Sequence, residues 1–253
     1  VHALGRNSAF VINSLSFLAS AALILRMRVT EPHLEGGQGL KWIDILGLTP
    51  ILEGVRYVRG DARLASMLFV KCGLGLLGAN LVLLPLIGER EFGHGGASVL
   101  GMSTLFMFRG VGAILGPFIG GRWAGSDQRR LRRGVLVGFM AAGCCYLLFS
   151  RAPTLALASA CVVGAHAGGS IVWVFSTTLL QLNTEDRFRG RIFAADFGLL
   201  TLAISFSATA AGVAMDHGLA PRTVAAALGG VMFLPAALWA AAQRLWTGAE
   251  PQR

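Results

Sequence analysis

The sequence is poor in charged residues. Only 14% of its 253 residues are Asp, Glu, Lys or Arg, whereas soluble domains typically contain about 25%. Hydrophobic residues make up 54% of the chain, and the mean hydropathy is +0.63. A soluble fold cannot bury apolar runs of about 20 residues in such number. The composition therefore excludes an ordinary soluble protein and predicts a polytopic membrane protein.

Motifs of soluble enzymes are also missing. The sequence has no G-x-x-x-x-G-K-[ST], H-E-x-x-H, C-x-x-C or G-x-S-x-G. "GLGLLG" (73–78) matches G-x-G-x-x-G, but it interrupts an apolar run instead of joining a strand to a helix. Cys72, Cys144, Cys145 and Cys161 fall inside apolar runs without metal-ligand spacing. We therefore predict no catalytic residues, metal site, cofactor or disulfide framework.

Seven apolar runs are present. Their lengths, near 20 residues, favour membrane-spanning helices over barrel strands and thus predict an all-α fold. The connectors are short except for the one between the first two runs. The runs are 7–27, 64–87, 97–121, 134–150, 154–181, 193–215 and 223–245.

Basic residues are distributed unevenly between the two sides of these spans. Counted over alternate connectors, sixteen of the 22 Lys and Arg lie on one side and four on the other, with Lys71 and Arg109 inside spans. The positive-inside rule places the rich side in the cytoplasm of the cell (inner or plasma) membrane. Loops 29–63, 121–134 and 182–192 and the tail 247–253 are predicted to be cytoplasmic. Because the arginines cap apolar runs, we predict no nucleic-acid partner, even for "RRLRR" (129–133).

The beginning of the sequence predicts a fragment. The chain lacks an initiator Met, and Arg26 and Arg28 follow the first run, as in a helix that enters the cytoplasm rather than a signal peptide. The long connector contains "TPILEGVRYVRGDARLA", which predicts one amphipathic helix. Its apolar face comprises Ile51, Leu52, Val55, Val58 and Ala62. We interpret it as an interfacial helix; the alternative is a solvated linker helix.

Polar residues inside spans are the candidates for a solute pathway, because a charge at the bilayer centre costs at least about 2.5–3.5 kcal/mol. Arg109 lies mid-span, and Lys71 lies two turns into its span, where it could snorkel. The other candidates are Asn80, His166, Ser170 and Trp173. The last two follow His166 by four and seven residues on one helix face.

These candidates leave alternatives open. Two cations without a facing carboxylate suit an anionic or catecholate-like solute, but Arg109 could instead pair with a carbonyl or with a carboxylate outside this sequence. A mid-helix His such as His166 is often hydrogen-bonded packing. No acidic residue is expected at mid-depth, so a proton carrier, if one exists, would be His166 or lie in a missing part of the protein.

Small residues recur at four-residue spacing in the third run. Gly112, Gly116 and Gly120 form such a ridge. Ridges of this kind let helices approach closely in lipid. We predict a helix-packing role for these glycines.

The arrangement of one helix, a long connector and six helices resembles the second half of a major facilitator superfamily transporter. "AFVINSLSFLASAALILRMR" (9–28) would be the sixth helix and Ala220–Leu245 the twelfth. "TTLLQLNTEDRFRGRIFAA" (177–195) resembles the junction of helices ten and eleven in the branch of siderophore (enterobactin-type) exporters and macrolide or drug efflux permeases. Arg189, Gly190, Arg191, Ile192 and Phe193 match its R-G-R-[VI]-F, whereas Thr184 replaces the usual proline. "GRWAGSDQRRLRR" (121–133) resembles the loop between helices eight and nine, with its Asp displaced.

The resemblance implies a domain organisation and a mechanism. Residues 1–28 would be helix six, 29–63 a cytoplasmic linker, 64–246 the second six-helix bundle and 247–253 a tail. Helices seven, eight, ten and eleven line the central cavity in this family, and the first three of them carry the pathway candidates. Cytoplasmic gating-loop candidates are Glu185, Asp186, Arg187, Arg189, Gly190, Arg191, Asp196, Arg122, Arg129 and Arg130.

The function implied is that of a secondary active exporter. The protein would move a small solute such as a drug or siderophore across the lipid bilayer, with proton coupling (antiport) as one option, together with the missing N-terminal six-helix half. The alternatives are a membrane-embedded enzyme and a non-transporting sensor or partner subunit of the same fold.

Overall fold

The computed structural model describes residues 5–27, 54, 56–93 and 98–247. Within these ranges the chain is helical and contains no strand, which confirms the all-α prediction. The helices are α1 (Gly5–Arg26), α2 (Ala62–Arg90), α3 (Ser98–Ala124), α4 (Gln128–Phe149), α5 (Leu155–Leu182), α6 (Asp186–Asp216) and α7 (Pro221–Trp246). Helices α2, α4, α5, α6 and α7 and the Leu100–Ala124 part of α3 are long and apolar enough to cross a membrane. In α1 the apolar stretch is shorter, Phe10–Arg26.

The chain divides into two compact units, Val1–Ile45 and Leu46–Arg253. The first contains α1, whose last turn carries Arg26, where a cation interacts favourably with the unpaired carbonyls of a helix end. The second contains α2 to α7.

The structure shortens the predicted amphipathic helix at its C-terminal end. Its positions Ile51, Leu52 and Val55 lie outside the described residues. A helical turn at 56–59 ends at Gly60, whose N–H bonds to the carbonyls of Arg56 and Tyr57. Asp61 then caps α2 by accepting a hydrogen bond from the Arg63 N–H at 2.8 Å. Ala62 therefore begins α2 instead of continuing the linker helix.

Two predicted loops are much shorter than expected. Only 125–127 separate α3 from α4, and only 183–185 separate α5 from α6, so the boundaries 121–134 and 182–192 are wrong. Asp127 accepts hydrogen bonds from the N–H groups of Arg129 and Arg130, and this capping starts α4 ahead of the arginines. In α6 the acidic residue of the first turn is Asp186. Most arginines of both predicted loops are therefore helix residues.

Helix α5 packs closely against α3 through glycine. A Cβ at Gly112 would lie 2.3 Å from the carbonyl oxygen of Val163, and one at Gly116 would lie 2.2 Å from that of Ala167. Gly120 meets the Phe175 ring, at 3.1 Å from a built Cβ. The predicted ridge thus lies at the α3–α5 contact, where two backbones approach as small residues permit.

Helices α4 and α7 are tied together at both ends. At one end, Arg222 pairs with Glu91 at the end of α2 and donates to the carbonyls of Ser150 and Ala152 after α4, the latter at 2.9 Å. At the other end, Trp239 Nε1–H donates to the Arg132 carbonyl at 2.9 Å, and the Arg132 guanidinium lies 5.2 Å from the Trp246 ring centre. These contacts make α4 and α7 a braced pair.

Helices α3 and α6 are the least enclosed of the second unit. Only 17% of the most apolar stretch of each is buried, against 72% in α2. Their exposed side chains include Ile114, Phe118, Leu202 and Phe206. These two helices therefore present apolar surface to lipid or to further protein.

The α3–α5 contact yields a prediction. Gly116→Ala should lower stability by about 1–3 kcal/mol, because the methyl group would overlap the Ala167 carbonyl and push the helices apart. Thermal unfolding in detergent measures this. Gly121→Ala, on the same helix with nothing within 4 Å of its built Cβ, is the control and should be neutral or slightly stabilising. Equal melting temperatures for the two variants would contradict the packing role.

Candidate functional site

A cavity of about 390 Å³ lies among α2, α3, α5 and α6. Its lining includes five of the six predicted pathway residues: Asn80, Arg109, His166, Ser170 and Trp173. The three from α5 share a face because they are spaced by four and three residues. The structure thus brings together side chains that the sequence places on three different helices.

Arg109 supplies the charge of this cavity. It is half-buried, its guanidinium lies 5.7 Å from the centre of the Phe106 ring, and no acidic side chain within the described ranges pairs with it. An arginine stays protonated at every accessible pH. The cavity therefore holds a fixed positive charge.

His166 is positioned by a tyrosine that the sequence analysis missed. Tyr146 on α4 is fully buried, and its hydroxyl lies 3.2 Å from His166 Nε2. Their rings meet edge to face, at 72°. A tyrosine inside an apolar span needs a partner for its hydroxyl. The position of Tyr146 in such a span was therefore the signal in the sequence that it contacts a polar side chain.

Asn80 lies where α2 tightens. Leu76–Ala79 form a 3-10 segment between two α-helical parts, Ala62–Gly75 and Asn80–Arg90. Ser207 on α6 accepts the Ala79 N–H at 3.1 Å and donates to the Leu76 carbonyl. Asn80 Nδ2 donates to the Leu77 carbonyl, whereas its buried Oδ1 has no partner. The sequence analysis missed Ser207.

The glycines of "GLGLLG" allow this approach of α6 to α2. A Cβ at Gly75 would lie 2.4 Å from the Ala203 Cβ, and one at Gly78 would lie 2.5 Å from the Ile204 carbonyl oxygen. The motif thus contributes helix contact, as its position in an apolar run suggested.

Lys71 points inward, away from the membrane surface, so the expectation that it could snorkel is wrong. It is 1% exposed, and its Nζ lies 3.5 Å from Asp196 Oδ2. Nζ also donates to Thr177 Oγ1 at 2.7 Å and to the Trp173 carbonyl at 3.3 Å, and it lies 4.5 Å from the Trp173 ring centre. This cluster joins α2, α5 and α6 beside the cavity that Trp173 lines.

Asp196 corrects two expectations. It was grouped with the cytoplasmic gating loop, yet it is 5% exposed on the third turn of α6. Helix α6 already begins at Asp186, and Asp196 follows ten residues later. Asp196 therefore lies well inside the bundle. Of the two cations expected inside the spans, Lys71 therefore has a carboxylate partner, whereas Arg109 has none among the described residues.

The remaining gating-loop candidates stay near the surface. Glu185 pairs with Arg187 at 2.9 Å and Asp186 with Arg189 at 2.6 Å, all within the first turn of α6 and its cap. Gly190 is exposed and Arg191 is half-buried. Arg122 ends α3 with its guanidinium 4.6 Å from the Phe118 ring centre. Arg130, in the first turn of α4, pairs with Asp127 at 3.4 Å. Such exposed pairs contribute about 0–1 kcal/mol each.

A linker residue contacts this surface. The Tyr57 ring stacks on Phe188 with centres 4.3 Å apart, and its hydroxyl accepts the Glu185 N–H at 3.3 Å. Glu185 precedes α6 and makes no side-chain cap of its own. Tyr57 therefore supplies an acceptor to the start of the helix that carries Asp196, a contact that the sequence analysis missed.

Comparison with known proteins identifies a family. The model of the Major Facilitator Superfamily matches residues 1–208. No curated protein and no solved structure matches the chain.

The buried ion pair yields a prediction. Asp196→Leu should destabilise the protein by about 3–5 kcal/mol, because it leaves the Lys71 charge buried without a counter-charge. The double variant Lys71→Met/Asp196→Leu should recover most of that loss, since buried pairs are often replaceable by apolar residues of similar volume. Thermal unfolding in detergent measures both. A double variant as unstable as the single one would mean that the pair itself, and not charge balance, holds α2 to α6.

Proposed function

Because the chain belongs to the Major Facilitator Superfamily, we propose that it is the C-terminal half of a secondary active transporter that exports a small solute by alternating access. A drug or a siderophore is the proposed kind of solute, by resemblance of the α5–α6 junction to the exporter branch. Residues 1–28, 29–63, 64–246 and 247–253 are proposed as sixth helix, linker, second bundle and tail. The cavity is the observation that carries the proposal: polar groups from three helices converge inside an apolar bundle, as expected for a solute site between helices.

The missing partner is a first six-helix half. Support comes from the low burial of α3 and α6, which leaves apolar surface for a second bundle to cover. The proposed orientation puts the arginine-rich helix ends on the cytoplasmic side of the cell membrane, following the uneven distribution of Lys and Arg. Coupling to protons is proposed through His166, the titratable group that lines the cavity.

The surface arginines are proposed to bias the transport cycle. Pairs worth about 0–1 kcal/mol are small against total stability, but they can shift two states that differ by a few kcal/mol. The stack of Tyr57 on Phe188 adds a route by which the linker between the two halves affects α6.

The central test is efflux of a panel of fluorescent solutes from cells that produce the full-length protein, with and without a proton uncoupler. Arg109→Gln should abolish efflux while membrane insertion stays normal, because the cavity loses its fixed charge. Arg151→Gln, an exposed arginine of the α4–α5 connector, is the matched control and should transport normally. Normal export by Arg109→Gln would refute the lining role.

A second prediction concerns the α6 surface. Arg189→Ala should shift the balance of inward-open and outward-open states by up to about fivefold, since it removes the pair with Asp186. The measurement is maleimide labelling, from each side, of a cysteine introduced at Ser170. Arg133→Ala, an exposed arginine at the start of α4, controls for loss of positive charge. Unchanged transport together with unchanged labelling would end the idea of a latch.

A further inference from the structure

The cavity has an unbalanced charge. Among the described residues that line it, Arg109 is the one Arg or Lys, and none is Asp or Glu. The other intramembrane cation, Lys71, already faces Asp196 at 3.5 Å. Among the described residues, the charge on Arg109 therefore has no counter-charge.

The contacts that the structure describes around Arg109 do not offset this charge. A cation at the membrane centre costs at least about 2.5–3.5 kcal/mol. The single ring contact of Arg109, with Phe106 at 5.7 Å, is worth only about 0.5–1 kcal/mol when partly exposed. The difference calls for an anion at the guanidinium.

The rest of the cavity wall is mainly apolar. Phe106 and Trp173 provide aromatic surface, and leucine, isoleucine and glycine provide most of the remainder. A volume of about 390 Å³ falls at the small end of ligand pockets. The body that fits it is a compact aromatic or aliphatic group.

We propose that the cavity binds an organic anion. Its carboxylate, or an equivalent anionic group, binds Arg109, and its apolar body contacts Phe106 and Trp173. The inference rests on the proposed function, because it takes this cavity as the solute site.

The test uses the full-length protein in lipid nanodiscs and two related probes. These are 3-hydroxy-2-naphthoate and its neutral amide, with binding followed by equilibrium dialysis. The hydroxynaphthoate should bind at least about tenfold more tightly than the amide, as a charge-assisted hydrogen bond implies.

Variants assign this preference to a residue. Arg109→Gln should reduce the preference for acid over amide to near onefold, and Arg109→Lys should retain part of it, because Lys keeps the charge without the planar fork. Arg151→Gln should behave as the unmodified protein, and size-exclusion chromatography checks that each variant is folded.

Three results would overturn the inference: no binding of the hydroxynaphthoate at millimolar concentration, equal binding of acid and amide, or an acid preference that survives Arg109→Gln. The last would mean that a carboxylate elsewhere in the protein already neutralises Arg109. The efflux panel keeps the two proposals apart. Export of neutral or cationic dyes without binding of the acid would support the transporter proposal and reject the anion site. Binding of the acid without export of any solute would support the anion site and reject the transporter proposal.

Discussion

A charge inside a lipid bilayer needs a partner in the protein, a bound solute or a water-filled cavity, because lipid cannot solvate it. Lys71 and Asp196 meet that requirement together, at 3.5 Å and nearly out of contact with solvent. Exposed pairs such as Glu185–Arg187 contribute about 0–1 kcal/mol, whereas breaking a buried pair costs about 3–5 kcal/mol. The conspicuous arginines at the start of α6 are therefore energetically minor. The carboxylate of Asp196, ten residues after the start of α6, is instead the one whose loss would leave a charge buried without a partner where α2, α5 and α6 meet.

The geometry of the cavity depends on that junction. Trp173 belongs to both: its carbonyl and ring contact Lys71, and it lines the cavity that contains Arg109. The Tyr146 hydroxyl contacts His166 Nε2. Ser207 hydrogen-bonds to the backbone of the 3-10 segment of α2, next to Asn80. Tyr146, His166 and Ser207 are each buried and hydrogen-bonded to a group on another helix. The polar interior is thus a set of contacts between helices, which any rearrangement of the bundle must break or preserve.

The sequence predicted much of this arrangement because hydrophobic length and helical spacing are local properties. The six spans of the second unit were predicted with starts within about seven residues, and the spacing of His166, Ser170 and Trp173 placed them on one face. The largest errors were at α4 and α6, where arginine-rich stretches were taken for loops although Asp127 and Asp186 allow helices to begin before them. Asp196 was misplaced for the same reason. Its pairing with Lys71, and those of Tyr146 and Ser207, join residues far apart in sequence, which periodicity does not encode.

Arg222 holds one end of α2, so a small tilt of α2 would displace its other end by a large distance. It fastens the end of α2 to the ends of α4 and α7, which are themselves braced. From Glu91 to Lys71 the helix runs roughly 30 Å, at about 1.5 Å per residue. With Arg222 as a fulcrum, a swing of about ten degrees would carry the ammonium group about 5 Å, further than its contact with Asp196 can stretch. A tilt of α2 of that size would therefore separate Lys71 from Asp196 and break the ion pair.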